Sequence, residues 1–331
     1  MPNRLLSALA LAGVVFSFAR HSWGGTFTED FSSDPTAQGW RVFGQTNLFR
    51  WNATNQDLEV TWDSSQPNSY FYHPLGTVLN RSDDFAVAFD LRLSDIVVGV
   101  HTNFTAPLEI AVGFVNLAEA TRTNFLRGTG TDSPDLVEFD YFWDAGYGAT
   151  VWPACVSSNS AFNYNGSSDY LLFPLAIGDW YRILMTYTAS NHTLSTGLSD
   201  LRNNLIVWIR TPLTTNFTDF RLDALALSSY SEAGQDPQYA GSVLAHGIVD
   251  NLVVTVPPPP VGDLAGAPSN QVWQVQFTSR DHWLYTLERT VDFRVWSPVG
   301  PAFPGNGAIL TLPDPHPPAG TAFYRVQAEK P

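Results

Sequence analysis

The octet Val137-Glu138-Phe139-Asp140-Tyr141-Phe142-Trp143-Asp144 constrains the fold more than any other stretch of this chain. β-Branched and aromatic residues alternate with carboxylates, the period-two pattern of a strand. Glu138, Asp140, Phe142 and Asp144 then share one face, and Val137, Phe139, Tyr141 and Trp143 share the other. Two neighbouring acids on one strand face are costly unless a cation, a proton or a guanidinium compensates them. The same pattern recurs along the chain. Phe85, Val87, Phe89, Leu91 and Leu93 alternate with Ala86, Ala88, Asp90 and Arg92.

Helical periodicity is nearly absent. Strands are expected over Gly25–Phe31, Asp57–Trp62, Ser69–His73, Phe85–Leu93, Glu109–Asn116, Leu136–Trp143, Thr150–Val156, Trp180–Thr188, Leu205–Arg210 and Gly247–Val256. Strands of this number, separated by Gly-, Ser-, Asn- and Asp-rich turns, indicate an all-β, two-sheet sandwich spanning residues 25–256. Pro257-Pro258-Pro259-Pro260 cannot join a sheet ladder and opens a linker read as 257–269. A second strand pattern follows, giving a small C-terminal β domain over 270–331.

Residues 1–19 have the pattern of a secretory signal peptide: Arg4, an apolar run Leu5–Ala19, and small residues at Ser17 and Ala19. A second possible cut lies near Gly24-Gly25. The run is too short for a membrane span, and no cysteine follows it to carry a lipid. The expectation is a protein that is secreted, periplasmic or on the cell surface, without membrane insertion. Cys155 is the one cysteine, so no internal disulfide forms, and its reading is a small buried hydrophobe. Asn52, Asn80, Asn103, Asn165, Asn191 and Asn216 stand in Asn-x-Ser/Thr sites.

The formal charge is −14, and the scattered arginines form no basic stripe, which argues against nucleic acid as a partner. Aromatic residues reach 14% against 15% charged, a balance that suits either stacking on sugar rings or a large aromatic core. No phosphate loop, dinucleotide fingerprint, Gly-x-Ser-x-Gly or zinc-cysteine spacing occurs, so no organic cofactor is expected.

Three local patterns in residues 25–256 resemble concanavalin A-like lectin/glucanase domains and the related laminin-G jelly rolls. They are Phe27-Thr28-Glu29-Asp30-Phe31 with Gly39-Trp40, Gly178-Asp179-Trp180-Tyr181-Arg182-Ile183 with the Asn191–Leu194 hairpin, and Gly247-Ile248-Val249-Asp250-Asn251-Leu252. The segments Trp283–Trp296 and Ala322–Val326 resemble a small C-terminal β module of exported planctomycete and verrucomicrobial proteins.

The resemblance points two ways at the acidic strand. Legume lectins hold metal on a Glu-x-Asp strand. Glu138, Asp140, the Phe142 carbonyl and Asp144 match that spacing, but the further Asp and His do not appear, so a single calcium is the implied ion. Laminarinase-type β-glucanases carry Glu-x-Asp-x-Glu. Glu138 and Asp140 match its start, but Phe142 or Trp143 stands where the acid/base would be. Asp144 lies about 13 Å along the strand from Glu138, whereas retaining hydrolysis uses carboxyl groups about 5–5.5 Å apart.

A second ion could sit between Asp30 and Asp250. Tyr70, Tyr72, Tyr147 and Trp152, with Asp144, are the nominated glycan contacts. Three functions stay open: a non-catalytic binder of carbohydrate or surface polymer, a glycoside hydrolase using Glu138 with Asp140 or Asp144, and a structural or adhesive envelope protein.

Overall fold

The computed structural model describes residues 25–98, 109–127, 133–143, 148–160, 170–215, 217–232, 243–269 and 272–331. Residues 1–24, Asp144, Tyr147 and the sites at Asn103, Asn165 and Asn216 lie outside the described residues.

The larger domain contains β1 (Gly25–Glu29), β2 (Arg41–Phe43), β3 (Phe49–Asn52), β4 (Asp57–Asp63), β5 (Ser69–Leu79), β6 (Phe85–Val98) and β7 (Glu109–Val115). A one-turn helix α1 (Leu117–Ala120) follows. The remaining strands are β8 (Leu136–Phe142), β9 (Thr150–Val156), β10 (Leu171–Leu172), β11 (Trp180–Thr188), β12 (Thr193–Asp200), β13 (Leu205–Pro212), β14 (Leu222–Ser229) and β15 (Val243–Val256).

They form two antiparallel sheets. One runs β13-β12-β11-β6-β15-β4-β3 with β1 also paired to β15; the other runs β10-β9-β8-β7-β14-β5-β2. The chain changes sheet repeatedly, and strands far apart in sequence pair: β5 with β14, and β6 with β15. That wrapping is a jelly-roll sandwich of concanavalin A-like type, the fold class expected from sequence.

The inward faces are those the alternation assigns. Phe85, Val87, Phe89 and Leu91 meet Val137, Phe139 and Tyr141 in one continuous core, which also takes in Cys155. Each large side chain so buried contributes about 1.5–3 kcal/mol. Phe89 packs edge-on to Phe139 at 5.8 Å between ring centres.

The C-terminal module is a second, smaller sandwich. Its strands are β16 (Val261–Ser269), β17 (Val272–Ser279), β18 (Leu284–Thr290), β19 (Ser297–Pro298), β20 (Phe303–Pro304), β21 (Ile309–Asp314) and β22 (Phe323–Glu329). Sheets β16-β17-β21 and β19-β18-β20, with β22 on β18, enclose Val275, Phe277, Tyr285, Leu287 and Leu312.

The expected linker is therefore shorter than 257–269. Val261–Ser269 is strand β16, antiparallel to β17. Its glycines and alanines have a packing reason: a Cβ on Gly266 would meet Trp273 Cζ2 at 2.8 Å. The proline run is tied down at its second and fourth members. Pro258 O accepts from Arg280 and Pro260 O from Tyr285 Oη.

A buried ionic knot fixes the module to the sandwich. The Asp83 carboxylate accepts from Arg280 Nη2 at 2.7 Å and from Lys330 Nζ, and it caps the Asn80 amide at 3.0 Å. Lys330 is only 7% exposed. Arg280 also reaches Thr77 Oγ1 at 2.9 Å, and Arg221 holds the Lys330 and Pro331 carbonyls. Removing the carboxylate that the buried Lys330 and the part-buried Arg280 share should cost about 3–5 kcal/mol. Asp83→Asn is expected to lower the unfolding free energy by about that amount and to expose residues 257–272 to protease. Unchanged melting with unchanged protection would contradict the knot.

Candidate functional site

The outer face of the seven-stranded sheet carries the acidic pair. Cross-strand register places Glu138 in the row Tyr72–Ala226–Gly113–Glu138–Ala154, and Asp140 in the row Tyr70–Ser228–Ala111–Asp140–Trp152. The centre of this face is built from small residues. Gly113 is required there: a Cβ would fall 2.4 Å from the Val137 carbonyl and 2.5 Å from Glu138 Cα.

The trough over these small residues is filled by the chain itself. Asn116 caps α1 through the Glu119 amide, and the segment then runs to Arg127 across the sheet. Phe125 stacks on Tyr230 at 6.3 Å. Tyr70 Oη donates to Ala120 O at 2.9 Å, and Asn68 Nδ2 to Phe125 O at 2.8 Å. Ala120 and Phe125 join Ala111, Ala224, Ala226, Tyr70 and Tyr230 in a second apolar cluster on the outer side of the sheet.

Arg127 enters from this plug and stands among three carboxylates. Its Nη2 lies 2.5 Å from Asp140 Oδ2, its Nε 3.4 Å from Glu138 Oε2, and its Nη1 3.4 Å from Glu109 Oε1. Tyr230 Oη donates to the other oxygen of Glu138. Glu138, Asp140 and Arg127 are 0%, 1% and 3% exposed. Burial pushes the Glu138 carboxyl up to about 7, against the opposing pull of the Arg127 charge and the Tyr230 hydrogen bond. Burial and the neighbouring Glu138 raise Tyr230 well above the usual phenol range, so it remains a hydrogen-bond donor.

The structure thus brings Glu138 and Asp140 together as expected, but beside a guanidinium in a closed layer and not at an open hollow. Phe142 is buried between Glu109 and Thr150 of the adjoining strands. Among the described residues, no group of three or more His, Cys, Asp or Glu side chains is arranged to hold a metal ion.

Asp30 and Asp250 each serve their own turn. Asp30 accepts from the Ser32 amide at 3.0 Å, and Asp250 from the Asn251 amide at 2.7 Å. Desolvation, then repulsion from Asp90, Asp57 and Asp30, raises Asp250.

The aromatic nominations divide. Tyr70 is wholly buried, so its ring offers no face to a ligand. Tyr72 and Trp152 are half-buried on the outer face. Trp152 lies 5.1 Å from Tyr170 and 5.9 Å from Phe142, ring centre to centre, next to the β9–β10 edge of the sheet. Arg127, Glu109 and Tyr230 are members of the site that sequence reasoning missed. The signal for Arg127 was its place in the Gly-rich stretch that precedes the acidic strand.

No protein-family model and no curated protein sequence matches this chain. Solved structures that it resembles include lectin II from Ulex europaeus, with 14% identity, 70% of this chain and 98% of that chain covered, and a TM-score of 0.45. Basic winged bean lectin with Tn-antigen gives 14% identity, the same 70% and 98% coverage, and a TM-score of 0.43. An alginate lyase variant in complex with alginate tetrasaccharide gives 11% identity, 70% and 97% coverage, and a TM-score of 0.38.

The raised Glu138 carboxyl has a pH consequence. Its folded value, about 7, exceeds the unfolded value of 4.5, so the folded state holds the extra proton between them. That contribution is complete below pH 4.5 and is lost as the pH rises through about 7. Urea titrations across pH 4–8 should show wild type losing about 3 kcal/mol relative to Glu138→Gln over this window. Parallel pH profiles for the two proteins would contradict the assignment.

Proposed function

We propose that the protein is an exported, non-catalytic binder of carbohydrate or of a related surface polymer. The observation that carries the reading is the compensation of Glu138 and Asp140 by Arg127 and Tyr230 beneath the α1–Arg127 plug. A retaining hydrolase needs two carboxyl groups that reach both sugar and water. Here neither side chain reaches solvent, and one member of the pair is held by a guanidinium.

Recognition then falls to the unplugged part of the same face. Trp152 and Tyr170 form a half-buried aromatic corner there, with a neighbouring strand end, Leu171–Leu172, open to solvent. Such a corner can pack against the apolar face of a pyranose while loop polar groups take the hydroxyls. Calcium has no part at Glu138 and Asp140 in this reading, because Arg127 already supplies the positive charge. The N-terminal leader pattern supports export.

The test is a glycan array paired with a reducing-sugar assay on a β-glucan panel. Wild type should be retained by at least one glycan without releasing reducing ends, and a chelator should change neither retention nor melting. Trp152→Ala should weaken retention at least tenfold with melting nearly unchanged. Sugar release that Glu138→Gln abolishes would restore the hydrolase, and silence in both assays would favour a structural envelope role.

A further inference from the structure

Among the described residues, no segment covers Trp208 and Leu184 on the outer face of the eight-stranded sheet, where the other sheet is plugged. Trp208 on β13 is 52% exposed, yet its ring lies flat against the sheet. The reason is Gly197 on the neighbouring strand. A Cβ there would meet Trp208 Cε3 and Cζ3, each at 3.1 Å. The cross-strand row reads Trp208–Gly197–Leu184–Ala88, with Leu184 also exposed. Leu205 and Ile206 border its outer end, where a register shift at Leu198/Ser199 brings both to the surface.

Rows with polar side chains lie on both sides of this apolar row. One is Arg210–Ser195–Thr186, and the other is Leu205–Ser199–Arg182–Asp90, headed by the exposed Leu205. Arg182 is committed to Asp90 at 3.0 Å and to the Asn251 carbonyl at 2.8 Å. Arg210 is exposed and has no carboxylate partner among the described residues. It stands two positions from Trp208 on the same strand face, about 7 Å along the strand.

We propose that Trp208 and Arg210 form a second glycan platform, specific for an acidic polysaccharide: the indole takes the apolar face of a pyranose and Arg210 its uronate carboxylate. A narrow apolar strip with hydrogen-bonding side chains beside it at Arg210, Ser195, Thr186 and Ser199 matches a sugar ring, which is apolar on its face and polar around its rim. A stable dimer would need about 800 Å² per partner with a dry apolar centre, which a strip flanked two residues away by Ser195, Ser199, Arg182 and Arg210 does not provide. The complementarity to a uronate is local: the exposed Arg210 guanidinium can pair its carboxylate against the opposing net charge of −14 on the chain.

The test is affinity electrophoresis of the full chain in gels containing polygalacturonate or neutral galactan. Wild type should be retarded by polygalacturonate and less so by galactan. Trp208→Ala should weaken the polygalacturonate interaction at least tenfold, Trp208→Tyr should restore most of it, and Arg210→Gln should remove the preference for the acidic polymer. Trp152→Ala should leave this retardation intact, which separates the platform from the site on the other sheet. Absence of retardation, equal retardation in Trp208→Ala, or Arg210→Gln without effect would overturn the proposal. So would a dimer, seen by light scattering, that Trp208→Ala dissociates, since the strip would then be a self-interface.

Discussion

A single guanidinium decides how the seven-stranded sheet is used. Arg127 faces Glu109, Glu138 and Asp140 in a space that water does not reach. Without it, three carboxylates would be desolvated together, at several kcal/mol for each charge left unanswered. Burial, with repulsion from Glu109 added, outweighs the pull of Arg127, so Glu138 retains a proton up to about neutrality. The plug that delivers Arg127 also covers the sheet, so the electrostatics and the closure are one arrangement.

The two outer faces diverge for a reason visible in side-chain size. On the seven-stranded sheet, Ala111, Gly113, Ala224, Ala226 and Ser228 leave a trough deep enough for Phe125, Tyr230 and α1 to settle into. On the eight-stranded sheet, a glycine serves the opposite end. Gly197 lets one indole lie flat and remain open to solvent. The same residue type thus permits burial on one side and display on the other.

Much of this architecture was legible in the sequence. Strict alternation placed Phe85–Leu91 and Val137–Tyr141 on inward faces, because period-two burial leaves a strong imprint. β14 escaped notice because Leu222–Ser229 is built from leucine, alanine, serine and Asp223, with none of the β-branched content that marks a strand. Those small residues are needed by the plug above them, a tertiary demand with no local signature. β16 was hidden in the same way, since its Gly/Ala/Pro composition reads as linker until Trp273 is seen packing over Gly266. At the site, the acid pair stood out, but its partner did not. Arg127 lies only 13 residues before Asp140, but the Gly-rich stretch between them follows no strand or helix period, so its place is a hint and not a spacing that fixes the pair. The acids were legible, and what answers them was not.

The central claim is that Arg127 and the acidic pair are energetically coupled inside a closed layer. The most direct measurement is a double-mutant cycle of Arg127→Met and Asp140→Asn, read from urea unfolding at pH 7. The account predicts a coupling of about 2 kcal/mol or more, with the double variant less damaged than the sum of the singles. Additivity within about 0.5 kcal/mol would show that the two side chains act independently and would contradict it.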